Sequence, residues 1–348
     1  MEGDFYVSYG RLDDYQRTII ENLFYSNEVV AGKAGTGKSL IALHKLARVP
    51  QGKRASLVVF TKSLKRYFED GMRELGIEDH VVQYEQEWDK QPVDYLFVDE
   101  CQDFSPERID EFIGKGGKCF FFGDSEQTIM NFADRVTQSV EETAHKLGVS
   151  IHYLFTNYRL TKENAALAER VGNVRDLVRH CVRQGVKPQL ILGATPQAQL
   201  DAIMDIIKTN NLTRVGILLP YNTCARGNSS PNRDGKLSVE FVRNYMTSKG
   251  MAVEFKMNSN YGDVMELDFH ANTPKIINWY SVKGLQFNDV FIPFCETSYD
   301  DEKRKALYVA ITRAYNRLYI GYSGQLCSDI FPGSESDLYA TRAEIEVI

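Results

Sequence analysis

Gly32, Gly37, Lys38 and Ser39, in the run V-V-A-G-K-A-G-T-G-K-S at residues 29–39, fit the spacing G-x-x-x-x-G-K-[ST]. The chemistry that wants these types is the capture of a polyphosphate. Glycines let backbone N–H groups turn inward without a Cβ clash, so the loop through Gly35 and Thr36 can form a concave nest for an anion. A helix starting straight after it adds the positive end of its dipole. Lys38 is a mobile point charge for the β- and γ-phosphates, and the Ser39 hydroxyl can take one position on Mg2+. The bland alternative is a Gly-rich turn capping a helix. The four fixed positions recur by chance in roughly one chain of this length in a hundred, and the apolar run before the loop with a helix-like segment after it makes coincidence rarer.

Paired carboxylates follow. Residues 93–100, V-D-Y-L-F-V-D-E, read as a buried strand ending in Asp99 and Glu100. A parallel strand beside the phosphate loop would deliver Asp99 to the Mg2+ and Glu100 to the water that attacks the γ-phosphate. A further strand at 118–124 runs on to Gln127, within reach of the γ-phosphate, and to Phe132, which offers a base a π-face or simply fills core. The strand from Ala55 leads to Thr61 and Lys62, placed either to meet a phosphate backbone or to cap and solvate a helix.

These residues need a scaffold of alternating strands and helices. An opening helix at 12–20 turns Ile19, Ile20 and Leu23 inward and leaves Gln16 before the loop. Near Tyr153 the pattern begins again, with an arginine-bearing helical stretch (Arg170, Arg175, Arg179, Arg183) that reads as a solvated face. Strands follow at 215–220 and 252–256, then the stretches 276–294 and 302–314 and a strand at 317–322; residues 223–235 read as an exposed loop. The chain therefore divides near residue 150 into two α/β halves, 1–150 and 151–348, as its 348 residues suggest.

Composition sets the outer limits. A formal net charge of −6 gives no global attraction to nucleic acid, so any such binding must come from a local groove. The six cysteines lack C-x-x-C spacing and no hydrophobic signal segment opens the chain, which predicts reduced thiols, a cytoplasmic location and no zinc site. The apolar runs are strand-length, too short to cross a membrane.

Taken in order, these stretches resemble the UvrD/Rep-like branch of superfamily one helicases along nearly the whole chain. The family's L-N-x-x-Q opening resembles residues 12–16, its G-x-G-K-[ST] loop residues 35–39 and its F-T-N-K segment residues 60–62. Its D-E-x-Q-D is matched by Asp99, Glu100, Gln102 and Asp103, its G-D-x-x-Q-S-I by 123–129 and its N-Y-R by 157–159. Its H-S-A-K-G-L-E-F resembles 280–287 and its Y-V-x-x-T-R-A resembles 308–314.

The resemblance implies two RecA-like domains with parallel sheets flanked by helices, hydrolysing ATP with Mg2+ in a cleft between them. It implies that Gln16 reads the adenine edge, that Tyr158 stacks on the base, and that Gly284 and Gln286 join the nucleotide contacts. Arg159 and Arg313 would approach the γ-phosphate as arginine fingers, completing a catalytic set with Lys38, Glu100 and Gln127. Thr61, Lys62, Phe132, Ser281 and Lys283 would line a groove for single-stranded nucleic acid, DNA ahead of RNA, travelled 3′ to 5′.

Departures from the family pattern point to a minimal form. The segments 60–99 and 220–276 are too short for its large inserted domains, no T-F-H-S segment precedes the acidic strand, the tyrosine and tryptophan of its Q-S-I-Y-G-W run are Met130 and Phe132, and the glutamate of its G-L-E-F is Gln286. These leave a second expectation from another class: an ATP-gated regulatory or binding subunit that signals to a nuclease or other protein without unwinding. A kinase or generic P-loop GTPase would make the second-half arginines a coincidence.

Overall fold

The computed structural model describes residues 7–341 apart from 23, 125–135, 225–231 and 260–261. The chain forms two units, Met1–Tyr158 and Arg159–Ile348. In the first, α1 (Asp14–Glu21), β1 (Glu28–Gly32), α2 (Lys38–Leu46), β2 (Ala55–Val59), α3 (Lys62–Leu75) and β3 (Val81–Tyr84) lead to β4 (Val93–Val98). Then come α4 (Pro106–Lys115), β5 (Gly116–Gly123), α5 (Val140–Leu147) and β6 (Ile151–Leu154). The six strands make one parallel sheet in the order β3-β2-β4-β5-β1-β6.

β7 (Asn157–Thr161) carries the chain into the second unit, followed by α6 (Lys162–Gly172), α7 (Leu177–His180), β8 (Cys181–Arg183), β9 (Gln189–Leu192) and α8 (Pro196–Thr209). Next are β10 (Val215–Leu219), α9 (Val239–Ser248), β11 (Glu254–Ser259), β12 (Gly262–Glu266), β13 (Lys275–Asn278), β14 (Phe287–Ile292), α10 (Asp301–Ile311) and β15 (Ala314–Tyr322). The sheet order is β12-β11-β13-β10-β14-β15-β9, parallel except for the hairpin strand β12, while β7 and β8 form a separate ribbon. Strands covered by helices on both faces tend to be apolar runs; β2, β10 and β13 are buried along their whole length, β13 with polar Lys275 and Asn278 at its ends.

Local chemistry sets where the helices begin. Asp13, Thr61, Ser105, Ser139, Thr161, Thr195, Ser238 and Asp300 each accept a backbone N–H with the side chain, and Pro106 and Pro196 occupy first-turn positions that need no donor. α2 differs. Its N-cap is Gly37, with no side-chain acceptor, so its first amides face whatever fills the loop before it.

Several expectations are corrected. The division falls after Tyr158 rather than at 150, because 151–154 add β6 to the first sheet beside β1. β4 is not the neighbour of β1: β5 lies between them. The strand expected from Arg317 begins at Ala314, which already pairs with Phe287. The strand expected at 252–256 is β11, displaced toward the C-terminus and folded back as a hairpin with β12. Leu23 lies outside the described residues; Ile19 and Ile20 are buried as expected. Among the described residues, only α3, β3 and a single turn of helix separate β2 from β4, and only α9 and the β11–β12 hairpin separate β10 from β13. No helix of the described residues is long and apolar enough to cross a membrane.

Candidate nucleotide-binding site

The loop after β1 is held from outside by its own carbonyls. Gly32 O accepts from Lys38 Nζ at 2.6 Å, Lys33 O from Thr36 Oγ1 at 2.9 Å, Ala34 O from Asn157 Nδ2 at 2.8 Å, Gly35 O from Tyr158 N at 2.9 Å and Thr36 O from Gln16 Nε2 at 2.9 Å. In a trans peptide the N–H points opposite to the C=O, so the amides that follow Ala34, Gly35 and Thr36 point away from Asn157, Tyr158 and Gln16. Glycine is required at three places, one of them Gly35 at φ +83°. Gly37 has φ +94°, and a Cβ on Gly32 would lie 2.5 Å from Thr36 Oγ1 and 2.9 Å from the Leu154 carbonyl. Lys38 Nζ also lies 3.3 Å from Lys33 O.

At the acidic end, Ser39 Oγ donates to Asp99 Oδ2 at 2.6 Å. Asp99 is fully buried; burial first, and the neighbouring Glu100 second, raise its carboxyl to about 7, against the Ser39 hydroxyl and the Lys38 charge. Glu100 sits at φ +54°, an uncommon conformation for a residue with a Cβ. The turn is fixed by its N–H on Asp99 Oδ1 at 3.0 Å and by Asp103 N on its carbonyl at 3.0 Å. Gln102 Nε2 donates to Glu100 Oε2 at 2.7 Å while Gln102 Oε1 accepts from Asp124 N at 2.9 Å, tying the end of β4 to the end of β5. Gln102 entered the sequence reading only as a motif position, and nothing in its spacing announces this bridge. The donors fit Mg2+: a hydroxyl and a carboxylate already touch, hard oxygen ligands of the kind that ion takes together with phosphate oxygens. No group of three or more His, Cys, Asp or Glu among the described residues could hold a metal by itself. Gln127 and Phe132 lie outside the described residues.

Beside the loop, Asp13, Tyr15, Thr36, Tyr153, Phe155 and Tyr158 are among the residues lining a groove of about 690 Å3. Tyr158, 38% exposed, donates its hydroxyl to Asp13 Oδ2 at 2.5 Å; burial, then Asp13, push that hydroxyl up to about 12. Tyr158 therefore belongs to the unit that carries the phosphate loop. Asn157 and Asp13, which contact the loop and Tyr158, had no assigned role in the sequence reading; only the Asp-x-x-Gln spacing of a capping box could have singled out Asp13.

The expected nucleic-acid residues are mixed. Thr61 caps α3, its hydroxyl accepting from Leu64 N at 3.1 Å, and Lys62 Nζ lies 3.5 Å from Glu87 Oε1. In the second unit Ser281 and Lys283 are buried, Lys283 to 1% exposure. Gly284 takes φ +84° in the turn that follows β13. Arg159 Nε donates to Gln286 Oε1 at 2.9 Å, which brings two of the expected nucleotide residues together. Arg313 is buried, with Nε on Val309 O at 2.9 Å, Nη2 on Thr312 Oγ1 at 3.0 Å and Nη1 on Leu285 O at 3.4 Å.

A glycine-rich loop and an acidic strand end on one parallel sheet, followed in the chain by a second, mostly parallel α/β unit, fit the class of two-unit, RecA-like α/β proteins. The model of the viral superfamily 1 RNA helicase core domain matches residues 28–209, more than half of the sequence, and the chain belongs to that family. The model of the UvrD-like helicase C-terminal domain matches residues 275–320. No curated protein matches the sequence. Similar solved structures include an arterivirus nonstructural protein 10 helicase (15% identity, TM-score 0.46, 88% of this chain and 61% of that one) and the PRRSV helicase (15%, 0.49, 92% and 57%). The C-terminal domain of a possible DNA helicase from Lactobacillus plantarum WCFS1 is another (18%, 0.38, 53% and 98%). The chain thus spans about six tenths of the length of the viral helicases.

Proposed function

We propose that this chain is a minimal ATP-dependent motor of the UvrD/Rep-like kind, moving 3′ to 5′ on single-stranded nucleic acid, DNA ahead of RNA. The observation that carries the reading is the Ser39–Asp99 contact, 2.6 Å, at the mouth of a loop whose carbonyls are all engaged. Lys38 would exchange the Gly32 and Lys33 carbonyls for β- and γ-phosphate oxygens. Ser39 and Asp99 would hold Mg2+, which when bound neutralises charge on those oxygens. Glu100 would accept a proton from the attacking water, and Arg159 and Arg313 would supply guanidinium charge to the γ-phosphate.

The test is ATP turnover with single-stranded DNA, with single-stranded RNA and with neither. Lys38→Ala, Glu100→Gln and Arg159→Ala should each cut turnover, the arginine by on the order of a thousandfold; unchanged rates in all three would reject the site. The short connections between β2 and β4 and between β10 and β13 favour a second reading, a nucleotide-gated subunit for a nuclease or other partner. In that case neither nucleic acid stimulates turnover until the partner is added.

A further inference from the structure

Gln16 is implied to read the adenine edge, yet its amide is used elsewhere. Nε2 donates to Thr36 O at 2.9 Å, Oε1 accepts from Asp13 N at 3.2 Å, and the residue is 3% exposed. A Cβ placed on Gly37 would lie 2.7 Å from Nε2, so the side chain packs against the back of the loop. The residues lining the groove beside Tyr158 include Asp13, Tyr15 and Thr36 but not Gln16. The amide retains one N–H and acceptor capacity on Oε1.

We propose that Gln16 is a positioning residue for the phosphate loop and does not select the base. Through Thr36 O it holds the peptide that leads into Gly37, whose left-handed conformation starts α2 and aims its first amides. Base binding then falls to the face of Tyr158, which Asp13 holds through the tyrosine hydroxyl, and Asp13 Oδ1 also accepts from Gln16 N at 2.7 Å. One carboxylate thus supports both the stacking ring and the loop latch. The inference rests on the nucleotide reading above.

Gln16→Glu separates the two roles. A glutamate keeps the acceptor for Asp13 N, so the capping box at the start of α1 survives, but an ionised carboxylate has no hydrogen for Thr36 O. Binding to the full chain is measured by calorimetry with two probes in Mg2+: a non-hydrolysable ATP analogue, and inorganic tripolyphosphate, which has no base. Gln16→Glu should weaken both by the same factor, about tenfold for one lost buried hydrogen bond. Tyr158→Ala should weaken the analogue and leave tripolyphosphate unchanged. If Gln16→Glu weakens the analogue alone, or neither probe, the proposal is overturned. A wild-type chain that binds neither probe overturns the nucleotide reading, and this inference with it. Gln16→Ala with a thermal melt is the second variant, and the same equal loss is expected of it.

Discussion

At the residue scale, burial works against the charge of two carboxylates, Asp99 and Asp289. Asp289 on β14 is buried, and burial raises its carboxyl to about 6 even with Arg317 opposite it on β15. An unfolded aspartate titrates near 4, so the folded chain holds this proton more tightly than the unfolded chain does. Stability therefore falls as pH rises from about 4 to about 6 and stays low above that window. Asp289→Asn removes the loss: its stability relative to wild type should improve from about pH 4.5 to about pH 7.5, by on the order of 2 kcal/mol, read from thermal melts at both values. The glycine-rich loop before a helix and the acidic end of a buried strand were legible in Gly32, Gly37, Lys38, Ser39 and Asp99. The partners of their backbone were not. Asn157 on Ala34 O and Gln16 on Thr36 O are contacts between residues far apart in sequence, and no periodicity encodes which carbonyl a side-chain amide will find. The fates of Thr61 and Lys62 were left open by the sequence for the same reason, since one hydroxyl can serve a helix cap or a phosphate.

At the element scale, α1 is fastened to α2 and β1 by a charge. Lys45 Nζ lies 3.1 Å from Glu28 Oε2, bonds the carbonyls of Ile19 and Asn22 at 2.9 and 3.0 Å, and sits over the rings of Phe24 and Phe120. Both side chains are essentially out of water, so deleting one strands the other. Lys45→Met should cost on the order of 3 kcal/mol in urea unfolding, and adding Glu28→Gln should recover part of it. Nothing in the sequence singles out Lys45, because hydrophobic periodicity carries no information on a buried charge. Strands such as β10 were legible since apolar runs bounded by turn residues have few alternatives. β6 was not: its four residues are only partly covered, and it joins the sheet through backbone pairing with β1, which leaves little trace in side-chain pattern.

At the scale of the whole molecule, two α/β halves were visible from composition and alternation, but their boundary was not, because one edge strand decides which half owns residues 151–158. That boundary has a mechanical meaning. Tyr158, whose N–H holds the Gly35 carbonyl and whose hydroxyl grips Asp13, ends one unit, and Arg159, bonded to Gln286, begins the other. Their Cα atoms are about 3.8 Å apart across one trans peptide, with no slack. Three or four glycines inserted between them should leave nucleotide affinity at the first unit within about threefold of wild type, because the contacts of the loop to Tyr158 lie upstream of the insertion, while turnover drops by at least about a hundredfold. Titration calorimetry beside a phosphate-release assay reads both. The joint is a single peptide bond: the residue after the ring already belongs to the other unit.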